Sequence, residues 1–128
     1  MARKKVMAAN WKMYKNPAQT EAFFRDFLPL VAGHSRDEIV ICPPYIDLYA
    51  ALAAAKGSNV AVGAQNLHWE KEGAFTGEIC TSMLLDIGCS HVIIGRSERR
   101  QKDQQGTEFW LSPDKADKWV TGRRASPL

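Results

Sequence analysis

Four short apolar segments rich in β-branched residues alternate along the chain with segments of helical periodicity. The apolar segments cover residues 5–10, 38–42, 59–65 and 91–95, and turn-forming residues bound each of them. Such runs are typical of strands that are buried on both faces, as parallel strands are. Because a helical pattern separates each strand from the next, the order β-α-β-α-β-α-β predicts an α/β fold with a parallel sheet.

The helical segments carry recognisable start and stop signals. Asn16 followed by Pro17 predicts an N-cap with proline at the first helical position, ahead of apolar residues at helical spacing. A second helix is predicted within the segment IDLYAALAAAK. A third is predicted over about residues 81–87, with Thr81 as its candidate cap and Gly88 as its terminator.

Length and composition restrict the class of protein. The 128 residues fit one domain, and 45% hydrophobic with 24% charged residues is the composition of an ordinary globular protein. No segment has the apolar length of a membrane span or of a signal peptide. The net charge of +3 is scattered rather than concentrated in a stripe, which argues against nucleic-acid binding.

Cysteine usage points to a reducing compartment. Cys42, Cys80 and Cys89 form no CxxC pair and are odd in number, so neither a disulfide framework nor a zinc site is expected. Together with the absence of a targeting segment, this predicts a cytoplasmic location. The sequence also lacks GxGxxG and GxxxxGK[ST], so nucleotide-binding loops have no support.

Polar residues that could take part in binding or catalysis follow the strands. Asn10 and Lys12 come directly after the first strand, at the sheet end where parallel α/β proteins bind ligands. A lysine there suits a phosphate or a developing oxyanion, although local pattern alone favours an ordinary surface lysine. After the fourth strand, GRSERR contains Arg96 and Glu98, which local pattern alone interprets as a solvated ion-pair cluster.

The connection over residues 66–80 is longer than the ~2–6 residues usual between a strand and its helix. Its GAFTGE motif combines two glycines with Phe75 and Thr76, which suits a projecting loop. From local pattern it is either a plain surface loop or an interface, and Phe75 is the hint of a partner.

Four motifs, AANWKM, ICPPYIDL, VGAQNLHWEKEGAFTGEI and HVIIG followed after one residue by SERR, together resemble the N-terminal portion of triosephosphate isomerase. The resemblance covers about residues 4–101 and implies a partial (β/α)₈ TIM barrel of about four βα units. It also implies cofactor-free, metal-free interconversion of dihydroxyacetone phosphate and glyceraldehyde 3-phosphate in glycolysis and gluconeogenesis, by a cytoplasmic homodimer. By motif, Asn10 and Lys12 match substrate-binding residues, with Lys12 also catalytic, and Phe75 and Thr76 lie in the dimer loop.

The chain departs from the family motif at one catalytic position. The resemblance places the family's catalytic histidine at Arg96, since the usual motif is IIGHSERR, and matches Glu98 to the glutamate that sits against the lysine. Arginine donates hydrogen bonds and stays protonated, so it cannot shuttle a proton as a neutral imidazole can. The catalytic glutamate, the lid and the later phosphate loops belong to the second half of the family barrel.

Residues 102–128 form a tail that does not match these motifs, and a loop or a short helix without a fifth strand is predicted there. The leading hypothesis is a truncated or frame-shifted, catalytically defective form of the isomerase. The alternative is a non-catalytic half-barrel that associates with itself or complements another fragment, because four strands cannot close such a barrel and leave apolar edges.

Overall fold

The computed structural model of the chain describes residues 3–94 and 109–111, the last three by their backbone. The chain divides into two compact units, residues 1–65 and residues 66–128. Arg96, Glu98 and the short helix predicted in the tail lie outside the described residues. No helix in the described part of the chain is long and apolar enough to cross a membrane.

The first unit contains three parallel strands and two α-helices. Its elements are β1 (Val6–Asn10), α1 (Pro17–Val31), β2 (Glu38–Cys42), a 3₁₀ turn (Tyr45–Asp47), α2 (Leu48–Ala55) and β3 (Val60–Ala64). β2 pairs with β1 on one side and with β3 on the other, both in parallel. The register places Asn10 opposite Cys42, so the carboxyl ends of the strands meet at one edge of the sheet.

The core of the first unit lies between the sheet and its helices. Phe24 of α1, Val40 of β2 and Ala51 of α2 have no exposed surface, and Leu48 and Val62 are nearly as buried. α1 begins with a complete capping box, in which the side chains of Asn16 and Gln19 each accept a hydrogen bond from the other's backbone N–H. The predicted Asn16–Pro17 helix start is therefore confirmed.

The second unit contains α3 (Thr81–Ile87), β4 (His91–Ile94) and β5 (Phe109–Leu111) among its described residues. Gly88 ends α3 with a φ of 102°, a left-handed conformation that glycine adopts without steric cost. Its backbone N–H donates to the last turn of the helix, as predicted for a terminator. β5 pairs with β4 in antiparallel orientation.

Three details of the sequence prediction are wrong. β1 is not buried on both faces: Val6 and Met7 are 38% and 57% exposed, because β1 is an outer strand and pairs with β2. Cys80, in an extended conformation, is the N-cap of α3, and Thr81 is already helical. A fifth strand does exist: the run Phe-Trp-Leu at residues 109–111 has high β propensity and pairs along β4.

Candidate active site

The loop after β1 is held by backbone hydrogen bonds to its neighbours. Asn10 Oδ1 accepts a hydrogen bond from the Lys12 backbone N–H at 2.9 Å, a local contact typical of asparagine in turns. The Trp11 N–H donates to the carbonyl of Cys42 at the end of β2, at 3.0 Å. Together these bonds fix the chain direction as it leaves the sheet.

Lys12 has an unusual backbone conformation. Its φ is +54°, in the left-handed region that residues other than glycine, asparagine and aspartate seldom occupy. Residues held in such regions cost on the order of 1–3 kcal/mol and persist only where surrounding contacts determine them. Lys12 is exposed, while Asn10 is partly buried.

The Gln65 carboxamide supplies the contacts that determine this conformation. Gln65 follows β3 directly, and its Nε2 donates to the carbonyl of Lys12 at 2.8 Å and to that of Cys42 at 3.0 Å. One amide group thus ties the loop after β1 to the ends of β2 and β3. Sequence reasoning missed Gln65; the available signal was a polar residue immediately after a buried strand, at the ligand-binding end of the sheet.

An aromatic cluster supports the same loop from the helix side. The Trp11 ring meets Phe23 edge-to-face at a centroid distance of 4.9 Å, and Phe23 contacts both Phe24 and Phe27. Lys15 Nζ lies 5.6 Å from the Trp11 ring centroid, within range of a cation–π contact. Trp11, between Asn10 and Lys12, is therefore anchored by its packing against α1.

The loop that contains Phe75 and Thr76 belongs to the second unit. His68 stacks on Trp69 and packs against Phe75, at centroid distances of 4.4 and 4.3 Å. Its Nδ1 accepts a hydrogen bond from the Glu70 N–H at 3.1 Å, so a neutral His68 ring carries its proton on Nε2. Phe75 is 43% exposed and Thr76 is exposed as well.

Gly73 gives the backbone of this loop a conformation that side chains disfavour. Gly73 has a φ of +143°, and a Cβ built there would lie 2.7 Å from the Phe75 ring. Any other residue would collide with the ring and strain the backbone. The tip of the loop is thus shaped around Phe75, which keeps that ring at the surface.

Replacing Gln65 by glutamate should destabilise the chain. Glu has nearly the same shape but no donor, so a carboxylate oxygen would face the carbonyls of Lys12 and Cys42. Unpaired polar groups of this kind cost about 1–3 kcal/mol, measured here as a lower urea midpoint. Gln19→Glu is the matched control, because Gln19 acts as an acceptor through Oε1 and glutamate preserves that bond. Equal midpoints for the two variants would contradict the assigned role of Gln65.

Comparison with known proteins identifies the family. The family model for triosephosphate isomerase matches residues 5–110, beyond the Gln101 at which the recognised motifs end. The chain belongs to the triosephosphate isomerase family. The enzyme of that name from Solibacter usitatus is 55% identical over a region covering 87% of this chain and 49% of the relative. That from Dictyoglomus thermophilum is also 55% identical, over 84% of this chain and 43% of the relative.

A solved structure agrees with the family assignment. Triosephosphate isomerase from Bartonella henselae superposes with a TM-score of 0.73 at 35% identity, covering 81% of this chain and 43% of that chain. The predicted fold class, a partial TIM barrel, is confirmed, and so is membership of an isomerase family. The chain spans about half the length of the curated relatives it matches.

Proposed function

We propose that the site around Asn10 and Lys12 binds a triose phosphate, as part of the machinery that interconverts dihydroxyacetone phosphate and glyceraldehyde 3-phosphate. The observation that carries this proposal is the fixed loop after β1, in which an exposed Lys12 is held at φ +54° by three strand ends. A strained lysine stabilised by several neighbours is typical of a functional position. Family membership supplies the substrate class.

Lys12 carries the electrostatic part of this function. Its ammonium offers three donors and a full positive charge, suited to a phosphate and to the oxyanion that forms when the substrate loses a proton. Asn10 keeps the Lys12 backbone in place through Oδ1. Neither residue can abstract the proton from carbon, since Lys12 is a cation and Asn10 does not titrate.

Arg96 limits what this chain does with a bound substrate. Triosephosphate isomerase is itself a standard example of pKa tuning, in which a carboxylate base works with a neutral histidine that polarises the carbonyl. The motif places Arg96 at that histidine, where it would stabilise an oxyanion by charge without moving protons between oxygens. By the same motif, Glu98 matches the family glutamate that sits against the lysine. With Arg96 at this position, we expect this chain to bind the substrate without turnover.

The location, pathway and partners of the protein are proposed from its family. We propose a cytoplasmic protein of glycolysis and gluconeogenesis without a cofactor, with triose phosphate as ligand and neither nucleic acid nor membrane as partner. The exposed Phe75 and Thr76, on a loop built around glycine, suit contact with a second subunit in a homodimer. Hydrodynamic mass at several concentrations tests this part, because Phe75→Lys should then shift the equilibrium to the monomer.

Binding of glycerol 3-phosphate, an analogue of the triose phosphates that has no carbonyl and cannot isomerise, tests the proposed site. Lys12→Ala should weaken the binding about tenfold or more, since a hydrogen bond to a charged group contributes about 1.5–3 kcal/mol. Lys56→Ala is the control, because Lys56 is also exposed but lies after α2. Titration by calorimetry or NMR should show unchanged affinity for the control, and an unchanged affinity for Lys12→Ala would contradict the proposal.

A coupled enzyme assay tests the absence of turnover. We expect no isomerisation of glyceraldehyde 3-phosphate above the rate without enzyme, because Arg96 replaces an acid-base group worth about 10²–10⁴ in rate. Turnover that the Lys12→Ala variant abolishes would show that the chain is active as it stands.

A further inference from the structure

The side chain of Gln65 joins two backbone segments through a single nitrogen atom. Its Nε2 donates to the carbonyl of Lys12 at 2.8 Å and to that of Cys42 at 3.0 Å, and an amide NH₂ has one hydrogen for each of these acceptors. Because both partners are acceptors, the amide oxygen cannot take the place of the nitrogen. The orientation of the Gln65 carboxamide is therefore fixed by its contacts.

Lys12 is held on both sides of its Cα. Its backbone N–H donates to Asn10 Oδ1 at 2.9 Å, and its carbonyl accepts from Gln65 Nε2. Since each peptide unit is planar, these two bonds restrain the φ and ψ of Lys12. The backbone angles of a residue set the direction of its Cα–Cβ bond. The two bonds thus also set the direction in which the lysine side chain leaves the loop.

The two side chains that hold Lys12 act over different ranges. Asn10 is two residues away, and its bond is the local kind that asparagine forms within a turn. Gln65 is 53 positions away and follows β3, so its bond ties Lys12 to the end of another strand. Gln65 therefore gives the lysine its place relative to the sheet edge at which parallel α/β proteins bind ligands.

Loss of the Gln65 donor should affect Lys12 more than Cys42. The Cys42 carbonyl also accepts from the Trp11 N–H at 3.0 Å, so it retains that donor. Lys12, by contrast, has a φ of +54°, a conformation that persists only where surrounding contacts determine it. Without Gln65, the backbone of Lys12 should relax toward negative φ and redirect the side chain.

We propose that Gln65 is a positioning residue of the triose-phosphate site and acts on the ligand through Lys12. The inference rests on the proposed function, because it requires the Lys12 ammonium to bind the ligand. Gln65 then raises the fraction of molecules in which Lys12 already has its binding conformation. The apparent Kd is the intrinsic Kd divided by that fraction, so a tenfold smaller fraction weakens binding about tenfold.

A purely structural role for Gln65 makes a different prediction. A residue that only stabilises the first unit would lower the urea midpoint when it is replaced, and the molecules that remain folded would bind the ligand as before. A positioning residue lowers the affinity of the folded molecules as well. Ligand affinity measured on folded protein therefore separates the two roles.

Gln65→Met in the full chain tests the inference, because methionine keeps an unbranched side chain of similar length without the amide donor. Calorimetric titration with glycerol 3-phosphate should show binding about tenfold weaker than in the wild type. Gln19→Met is the matched control. It removes the capping hydrogen bond from the Asn16 N–H and so also lowers stability, but it should leave the affinity unchanged.

The double variant Lys12→Ala/Gln65→Met tests whether Gln65 acts through Lys12. Once the lysine is absent, Gln65 has no cation to position, so the double variant should bind no more weakly than Lys12→Ala alone. A further loss equal to that of Gln65→Met by itself would show that Gln65 acts on the ligand independently, and would overturn the inference.

NMR of the ligand-free chain supplies a second measurement. The three-bond coupling between the amide and α protons of Lys12 depends on φ, so it should change in Gln65→Met and stay at its wild-type value in Gln19→Met. An unchanged coupling in Gln65→Met would contradict the positioning role. If circular dichroism shows that Gln65→Met does not fold, Gln65→Asn, which keeps the amide on a side chain one carbon shorter, takes its place with the same expected results.

The affinities also separate failure of the inference from failure of the proposed function. Wild-type affinity in Gln65→Met, together with weaker binding in Lys12→Ala, would overturn the positioning role and leave the proposed function intact. Wild-type affinity in Lys12→Ala would contradict the proposed function and the inference together.

Discussion

Placing histidine at position 96 should raise isomerase turnover by about 10²–10⁴ when this chain is combined with the C-terminal portion of a triosephosphate isomerase, since that is the usual contribution of a positioned acid-base group. The variant is Arg96→His, and the added C-terminal portion supplies the glutamate base that the family resemblance assigns to the other half of the barrel. A neutral imidazole both donates and accepts a hydrogen bond, whereas a guanidinium only donates. The measurement is kcat for glyceraldehyde 3-phosphate in a coupled assay.

Two controls separate this effect from a general change of charge. Arg99→His makes the same replacement three residues further along the chain, within the SERR motif, and should leave turnover at its basal level. Adding Lys12→Ala to Arg96→His should remove the gain, because the developing negative charge loses its cation. If Arg96→His and Arg99→His behave alike in a complex that is shown to form, the assignment of position 96 to the catalytic histidine is wrong.

Replacing Phe24 by alanine should strongly destabilise the first unit. Phe24 is completely buried and packs against Phe23 beside Trp11, so its loss leaves a cavity between α1 and the sheet. Phe→Ala in a core costs about 3–5 kcal/mol, a large part of the roughly 5–15 kcal/mol that stabilises a whole domain. Far-UV circular dichroism during urea titration measures the loss.

The comparison for this variant lies on the same helix. Leu30 is 81% exposed, and Leu30→Ala should change the free energy of unfolding by no more than about 0.5 kcal/mol. Similar midpoints for Phe24→Ala and Leu30→Ala would mean that the core of the first unit is not organised around Phe24. If only Phe24→Ala lowers the free energy of unfolding, this variant should also release the loop that carries Lys12, since Trp11 packs on the same rings.

Much of the fold was predictable because it depends on local signals. The strand at residues 38–42 and the start of α1 at Asn16 follow from β-branched runs and from capping chemistry, both of which act within a few residues. β5 was missed because a three-residue strand carries almost no pattern and depends on a distant partner. The exposure of β1 was missed for a related reason: apolar content alone does not reveal whether a strand lies at an edge.

The candidate site was predictable only in part. The positions of Asn10 at the end of β1 and of Lys12 just after it follow from the sequence order, but the left-handed backbone of Lys12 does not, because lysine has no preference for it. Gln65 acts from 53 positions away in the sequence, through a tertiary hydrogen bond that no local window contains. The roles of all the predicted site residues stay predictions from the resemblance: Asn10, Lys12, Phe75, Thr76, Arg96 and Glu98.

The backbone of Lys12 has a consequence for anyone who redesigns this chain. A procedure that scores only folding energy would replace Lys12 by glycine or asparagine, which adopt φ +54° at lower cost. The same procedure would keep Gln65, whose two hydrogen bonds remain useful for any residue at position 12. A sequence optimised in this way would keep Gln65 and lose Lys12, so position 12 must be held constant for reasons other than stability.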